Sequence, residues 1–260
     1  MKNKSHNKVT EIFKHTNTSA KVIKVADVFK FTRGGSISEL NIAYETWGKI
    51  NKDKSNVVVI FTGLSASSHV TSSSLDQSPG WWESMVGKNK AINTDEFYIV
   101  CVNTLGSCFG STSPVTINEK TGDPYRLTFP ELTIEDMANA SELLLDKIGI
   151  SKIKLLIGPS MGGMKAIAFS LLSKKSIENL ILISTATQAL PYAIALRSLQ
   201  REVIRKDPLW KHGFYSYEEP PLNGVRIARK IGMASYRSAI EWLQRFGRKK
   251  SVDSKLNQNT

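Results

Sequence analysis

The chain has 260 residues, 41% of them hydrophobic, which suffices for one sizeable core and an appended piece. Its 35 Lys and Arg against 23 Asp and Glu give a net charge of +12. Part of that charge lies near the ends (Lys2, Lys4, Lys8; Arg245, Arg248, Lys249, Lys250, Lys255), where it reads as solvated tail. Two cysteines, Cys101 and Cys108, are too few for a disulfide scaffold. They lack a Cys-x-x-Cys spacing or clustered histidines, so they read as packing thiols and no metal site is expected. Met1 to Ala20 is polar without an apolar leader segment, and no run reaches membrane-spanning length. The expectation is a cytoplasmic protein without a membrane partner. No zinc-finger spacing or RNA-recognition signature supports nucleic acid.

Residues 1–20 form a polar lead-in. Val22, Ile23, Val25, Val28 and Phe29 predict a first strand within Lys21 to Phe31, and Arg33-Gly34-Gly35-Ser36 a turn. Leu40, Ile42 and Tyr44 alternate as a second strand, making 21–47 an antiparallel hairpin. After the polar turn Asn51 to Asn56, Val57 to Phe61 is continuously apolar, as expected of a strand buried on both faces of a parallel sheet. It runs into the loop Thr62-Gly63-Leu64-Ser65-Ala66. A long loop carrying Trp81-Trp82 precedes another buried strand, Phe97 to Val102. Gly106 to Pro130 is connection, and Thr133 to Asp136 resembles a capping box with Asp for Glu. A helix follows with Met137, Ala140, Leu144 and Ile148 on one face. The strand 153–157 comes next.

That strand leads into Gly158-Pro159-Ser160-Met161-Gly162, and a helical pattern resumes from Met164. Strand, tight turn and helix with a serine at the apex is the context of a nucleophile elbow. Glycines two before and two after the serine remove Cβ atoms that would collide, and Gly163 permits close helix–sheet packing. Such a serine is a candidate nucleophile, with the Met161 amide at a helix N-terminus placed to stabilise an oxyanion. Leu180 to Ile183 is a further strand. Beyond Thr187 the residues 189–206 and 224–246 are helical in period, joined by an aromatic connection with Trp210, Tyr215, Tyr217, Pro220 and Pro221. The expected organisation is a lead-in over 1–20, a core over 21–187, a helical cap over 188–248 and a polar tail over 249–260.

In order along the chain, several segments resemble the homoserine O-acetyltransferase family of the α/β-hydrolase superfamily. They are Gly80-Trp81-Trp82, Asn103 to Thr112, Gly122-Asp123-Pro124-Tyr125, Phe129-Pro130 through Met137, the elbow Gly158 to Met164, and Ala228-Arg229-Lys230-Ile231-Gly232 through Arg248. The resemblance implies an α/β fold, a mostly parallel sheet flanked by helices, with a helical cap. It implies acyl transfer to a hydroxy amino acid through an acyl-serine, with no cofactor but an acyl-CoA cosubstrate, and a homodimer. A basic chain would attract such a phosphorylated cosubstrate. Carried over, Ser160 is the nucleophile, the amides of Leu64 and Met161 form the oxyanion hole, and Arg229 holds the amino acid's carboxylate. The side chain of Leu64 reads as core packing, and Arg229 is alternatively an ordinary exposed arginine beside Arg226 and Lys230.

The chain departs from that pattern in places. Leu64-Ser65-Ala66-Ser67-Ser68-His69 replaces the usual Leu-Thr-Gly-Asp-Ser-His, and Lys165 stands where glutamine is common. Ser235-Tyr236-Arg237-Ser238-Ala239 looks closer to relatives acting on serine or using succinyl-CoA. Homoserine O-acetyl transfer is the leading expectation. Serine O-acyl transfer, ester hydrolysis and an inactive remnant are its alternatives. The family's catalytic acid and histidine follow the cap on returning strands. Here His6, His15, His69 and His212 all read as surface or structural, and Asp253 lies in the tail. The sequence therefore reads as lacking the last strands of the core, whether as a fragment, a split half or a remnant.

Overall fold

Continuous apolar runs build the centre of the sheet. The computed structural model describes residues 19–216 and 218–247. His6, His15, Asp253, Tyr217, Arg248 and most of the expected lead-in and tail lie outside them. The first strands are β1 (Lys21–Ala26), β2 (Phe29–Lys30), β3 (Ser36–Ile37), β4 (Leu40–Trp47), β5 (Val57–Phe61) and β6 (Tyr98–Val102). They continue with β7 (Lys152–Ile153), β8 (Leu155–Pro159), β9 (Ser176–Ile177) and β10 (Leu180–Ile183). The main sheet has the order β1-β4-β6-β5-β8-β10. Its pairs β1/β4 and β4/β6 are antiparallel, and β6/β5, β5/β8 and β8/β10 are parallel.

β5 is buried at every residue. Val57, Val59 and Phe61 enter one apolar cluster while Val58 and Ile60 enter another, so both faces of the strand are covered. The expected 21–47 hairpin is present as the β1/β4 pair, with β2 and β3 forming a smaller hairpin inside it. The predicted strand within 21–31 is therefore two strands. β10 is a sheet edge among the described residues, and Leu180 to Ile183 are 36–44% exposed.

Helix α1 (Ile134–Lys147) and helix α2 (Met161–Leu172) pack on each other, and α2 lies against β5, β8 and β10. Thr133 and Asp136 make the reciprocal capping box at the start of α1. Asp136 does more than cap. Its buried carboxylate accepts from the amide (2.8 Å) and hydroxyl (2.6 Å) of Thr32 and from those of Thr133 (both 2.9 Å). Burial alone would raise its pKa, but these donors outweigh it and hold the carboxyl below the ordinary 3.8. α2 begins at Met161, three residues before the periodicity predicts. Glycines at 162 and 163 weaken the helical signal locally, and tertiary packing overrides it.

The chain divides into two compact units, Met1–Gln188 and Ala189–Thr260. Within the second, α3 (Pro191–Arg205), a 3-10 helix (Pro208–Gly213), α4 (Leu222–Ser235) and α5 (Ala239–Arg245) follow without a described strand. The single helical stretch predicted over 224–246 is broken, because Ser238 takes an extended backbone and its hydroxyl caps Glu241 N at 3.1 Å. α3 and α4 approach closely: a Cβ on Gly224 would lie 2.6 Å from Val203 O, and Gln200 Nε2 donates to Ala228 O at 2.8 Å. Asp207 caps the 3-10 helix at Leu209 N and accepts from Gly224 N at 2.7 Å.

Replacing Asp136 should expose how much of the core depends on one carboxylate. Asp136→Ala is expected to lower stability by roughly 2–4 kcal/mol in urea denaturation, since it removes a cap and several charge-assisted bonds. The folded pKa lies below the unfolded one, so this stabilisation is present above the unfolded value of 3.8 and fades as pH falls through the folded pKa. The gap between wild type and variant should shrink in that acid range.

Candidate active site

Ser160 stands between β8 and α2 with φ 53° and ψ −122°, a left-handed conformation that is strained for a residue with a Cβ. Hydrogen bonds from both sides hold it there, including one from Met164 N to its carbonyl at 3.3 Å. Its amide donates to Ile183 O at 2.9 Å, its carbonyl accepts from Gly163 N at 2.9 Å, and the Thr185 hydroxyl donates to the same carbonyl at 2.8 Å. The Ser160 side chain is exposed and makes no capping bond to the helix it precedes. The glycines around it are required by space. A Cβ on Gly158 would lie 2.3 Å from Gly162 O, one on Gly162 2.3 Å from Phe61 O, and one on Gly163 2.5 Å from Thr185 Cγ2.

Gly162 thus seats the first turn of α2 directly on the carboxyl end of β5, where Thr62 and Gly63 continue the chain. A Cβ on Gly63 would be 3.7 Å from Pro159 O and 4.0 Å from Ser160 Cβ, so the 62–66 loop lies beside the elbow. Leu64 follows in that loop. Its side chain is 67% exposed, which corrects the expectation that it packs in the core: the loop has already left the sheet at this point. Met161 is the first residue of α2, and its amide belongs to the helix end that has no intrahelical acceptor.

Several buried ionisable groups lie in this half of the sheet, His69 and Lys165 among them. His69 is 7% exposed. Glu45 Oε2 lies 3.0 Å from its Nδ1 and the Ser78 carbonyl 2.9 Å from its Nε2. Burial pulls its pKa down, but Glu45 and the Ser78 carbonyl outweigh that and leave it above 6.5. Both ring nitrogens therefore face oxygens, and the His69 ring clamps the 67–78 loop to β4. Lys165, on α2, is fully buried. Its Nζ lies 4.1 Å from the centre of the Phe61 ring and 3.4 Å from Thr104 Oγ1. Burial lowers its pKa to about 7. The group that opposes this, Cys101, has its own thiol pushed well up by burial and carries no charge near neutrality.

A serine at a strained strand-to-helix apex, in a sheet whose antiparallel first strands give way to parallel ones, matches a family description over residues 56–259: alpha/beta hydrolase fold. The chain belongs to the alpha/beta hydrolase fold family. Within it, the chain is 50% identical over 220 residues to a serine O-succinyltransferase of Stenotrophomonas maltophilia, covering 85% of this chain and 60% of that one. A protein of the same name from Litchfieldella anticariensis is 46% identical over 91% of this chain and 65% of its own length. Among solved structures, a homoserine O-acetyltransferase from Bacillus anthracis superposes with a TM-score of 0.81 at 28% identity, over 93% of this chain and 67% of that one. The chain thus spans less than two thirds of the length of these curated relatives.

In this hydrolase-fold chain, Ser160, Met161 and the Leu64 loop come together at the carboxyl edge of the sheet. Arg229 belongs to the second unit, exposed on α4. His212, in that unit too, is exposed at φ 54° in the 3-10 helix. Cys101 is buried in β6 as expected, but Cys108 is exposed: it lies in the turn-rich segment after β6, which corrects its reading as a packing thiol. Among the described residues no helix is long and apolar enough to cross a membrane. Sequence reasoning missed Thr185, which carries no motif of its own, and it noted Lys165 only as a departure.

Two substitutions test this geometry. Gly162→Ala should push α2 off β5, lower stability by about 1–3 kcal/mol and suppress labelling of Ser160 by a fluorophosphonate. Lys165→Met should be more stable than wild type near and below neutrality, because it removes an ammonium buried without a carboxylate partner. The folded pKa of about 7 lies below the ordinary lysine value of 10.5, so the unfolded chain holds the extra proton between those values. Wild type should therefore regain stability relative to Lys165→Met, by a few kcal/mol, as pH rises from about 7 toward 10.5 in thermal melts.

Proposed function

We propose that this chain carries the acyl-serine chemistry of an acyl-CoA-dependent O-acyltransferase acting on a hydroxy amino acid. The observation that carries this reading is Ser160, held at φ 53° by Ile183, Gly163 and Thr185 and exposed at the end of the parallel sheet. In the proposed reaction, Ser160 Oγ attacks the thioester carbonyl, the C–S bond breaks, and the serine proton ends on the departing sulfur. The amides of Met161 and Leu64 stabilise the oxyanion, coenzyme A leaves as its thiol, and the hydroxyl of the acceptor then takes the acyl group from Ser160. Arg229 is assigned to the acceptor's carboxylate, a group that suits a guanidinium fork. No residue of this chain is assigned as the general base.

Serine as acceptor and succinyl-CoA as donor are favoured over homoserine and acetyl-CoA. Both curated relatives described above, at 46–50% identity, are serine O-succinyltransferases, while the homoserine O-acetyltransferase structure stands at 28%. The segment Ser235 to Ala239 points the same way. It is the junction of α4 and α5, where the Tyr236 hydroxyl accepts from Arg197 at 3.1 Å. The net charge of +12 suits a polyanionic cosubstrate.

Incubating the protein with succinyl-CoA or acetyl-CoA and mapping the product by mass spectrometry tests the first half-reaction. One acyl group is expected on the peptide containing Ser160, faster from succinyl-CoA, and Ser160→Ala should abolish it. Without an assigned base the step should be slow, at the residual 10³–10⁴-fold acceleration that binding and an oxyanion hole supply. Acyl groups scattered over lysines with Ser160 unmodified would remove the reading. A second reading, ester hydrolysis, is favoured by the 32% identity to a solved esterase, E22 (TM-score 0.78), over 92% of this chain and 67% of that one. It predicts water as acceptor and indifference to Arg229→Ala, whereas transfer to serine should weaken in that variant.

A further inference from the structure

Lys165 is the one fully buried lysine the proposed reaction leaves without a task among the described residues, and its surroundings lead to the elbow's partner loop. Thr104 Oγ1, at 3.4 Å from Lys165 Nζ, lies 3.0 Å from Thr62 Oγ1, which in turn lies 3.5 Å from Val102 O. All three side chains are buried. Lysine has only donors and a backbone carbonyl only accepts, so the hydroxyl pair between them has one consistent direction. Lys165 donates to Thr104, Thr104 to Thr62, and Thr62 to Val102 O. Thr62 is the residue before Gly63, whose α-carbon faces Ser160, and its carbonyl lies against Gly162 in the first turn of α2.

Resting on the acyl-serine reading above, we propose that Lys165 is a positioning residue: its ammonium, acting through Thr104 and Thr62, fixes the Gly63–Leu64 turn and so aims the Leu64 amide at the oxyanion formed on Ser160 acylation. A hydrogen-bond chain that starts on a cation is polarised along its length, so each hydroxyl is held more firmly than by neutral neighbours. Deprotonation leaves a neutral amine that donates more weakly and carries no charge, so the effect belongs to the pH range below about 7.

The elements packed against Lys165 bring few ionisable groups, and those are engaged elsewhere; His69, raised above 6.5, is common to wild type and variants and so drops out of their ratio. β5, β8 and β10 bring no ionisable side chain. From β6, Cys101 is held neutral by burial, and Glu45 beyond it is taken up by Ser19, Ser68 and His69. On α1, Asp136 is bound to Thr32 and Thr133, while Glu142 and Asp146 pair with Lys175.

The test is the rate of Ser160 acylation by p-nitrophenyl acetate between pH 5.5 and 9, followed by mass spectrometry in wild type, Lys165→Met and Thr104→Val. Below neutrality both variants should be slower by roughly tenfold, the worth of one hydrogen bond to a charged group. The ratio of wild type to Lys165→Met should then fall toward one as pH rises through about 7. A purely structural role changes stability and leaves that ratio flat, and a flat ratio with Ser160 labelled overturns the proposal alone. Unlabelled Ser160 in folded wild type removes the acyl-serine reading and this role with it. Should a variant not fold, the wild-type Lys165 side chain is titrated by NMR before and after fluorophosphonate labelling of Ser160. Its midpoint should move up when the phosphoryl oxygen occupies the oxyanion site, and an unmoved midpoint overturns the proposal.

Discussion

The close approach of α2 to the ends of β5 and β8 is the constraint on which the rest of the first unit depends. At Gly158, Gly162 and Gly163 a single added carbon would meet backbone or Thr185 at 2.3–2.5 Å. Removing those carbons lets the helix start directly over the sheet and forces the residue at the apex into the left-handed region. A strained non-glycine residue of this kind costs on the order of 1–3 kcal/mol and persists only where its surroundings over-determine it. Here they do. The Ser160 amide is bound to β10 through Ile183, and its carbonyl is bound both to the helix and to Thr185 just past that strand.

Polar groups buried near that end of the sheet are treated unequally. Asp136 receives four donors from two threonines, and Glu45 is surrounded by Ser19, Ser68 and His69. In a loop away from them, desolvation raises the half-buried Glu83, but the Gly80 and Ser72 donors and Lys90 outweigh it and hold the carboxyl pKa at about 2. Glu45 ties loops to β4, Asp136 ties the β2–β3 turn to the start of α1, and Glu83 ties two loop segments together. The Lys165 ammonium is supplied instead with an aromatic face and one long hydrogen bond, and its pKa falls accordingly. A group so weakly compensated is a poor structural staple, because an apolar side chain of similar shape would fill the same space with less desolvation.

The second unit is organised by a different device. Small residues on α4, Gly224, Ala228 and Gly232, let α3 come within van der Waals reach of its backbone, and Asp207 binds the turn between them to the start of α4. The surface beyond that seam is exposed and basic, with Arg226, Arg229 and Lys230 on α4. Such an arrangement leaves several cations available to an anionic ligand without burying any of them.

What the sequence determined by itself are the features that depend on neighbours along the chain. Continuous apolar runs identified β5 and β6, the Thr133–Asp136 pair identified the start of α1, and the glycine spacing identified Ser160 as a strained apex. Each is a local steric or capping requirement, so it leaves a local signature. The insertion of β6 between β4 and β5 was not legible, since strand order follows from which buried faces meet. Nor was the break at Ser238, where a cap competes with a helical period that both sides share. Tertiary structure alone decided that Thr185 would bind Ser160 from 25 positions away, that Leu64 would leave the core, and that Lys165 would end on Thr104, 61 positions distant. Those outcomes depend on how far a helix settles onto a sheet, a distance set by close packing between segments remote in the chain.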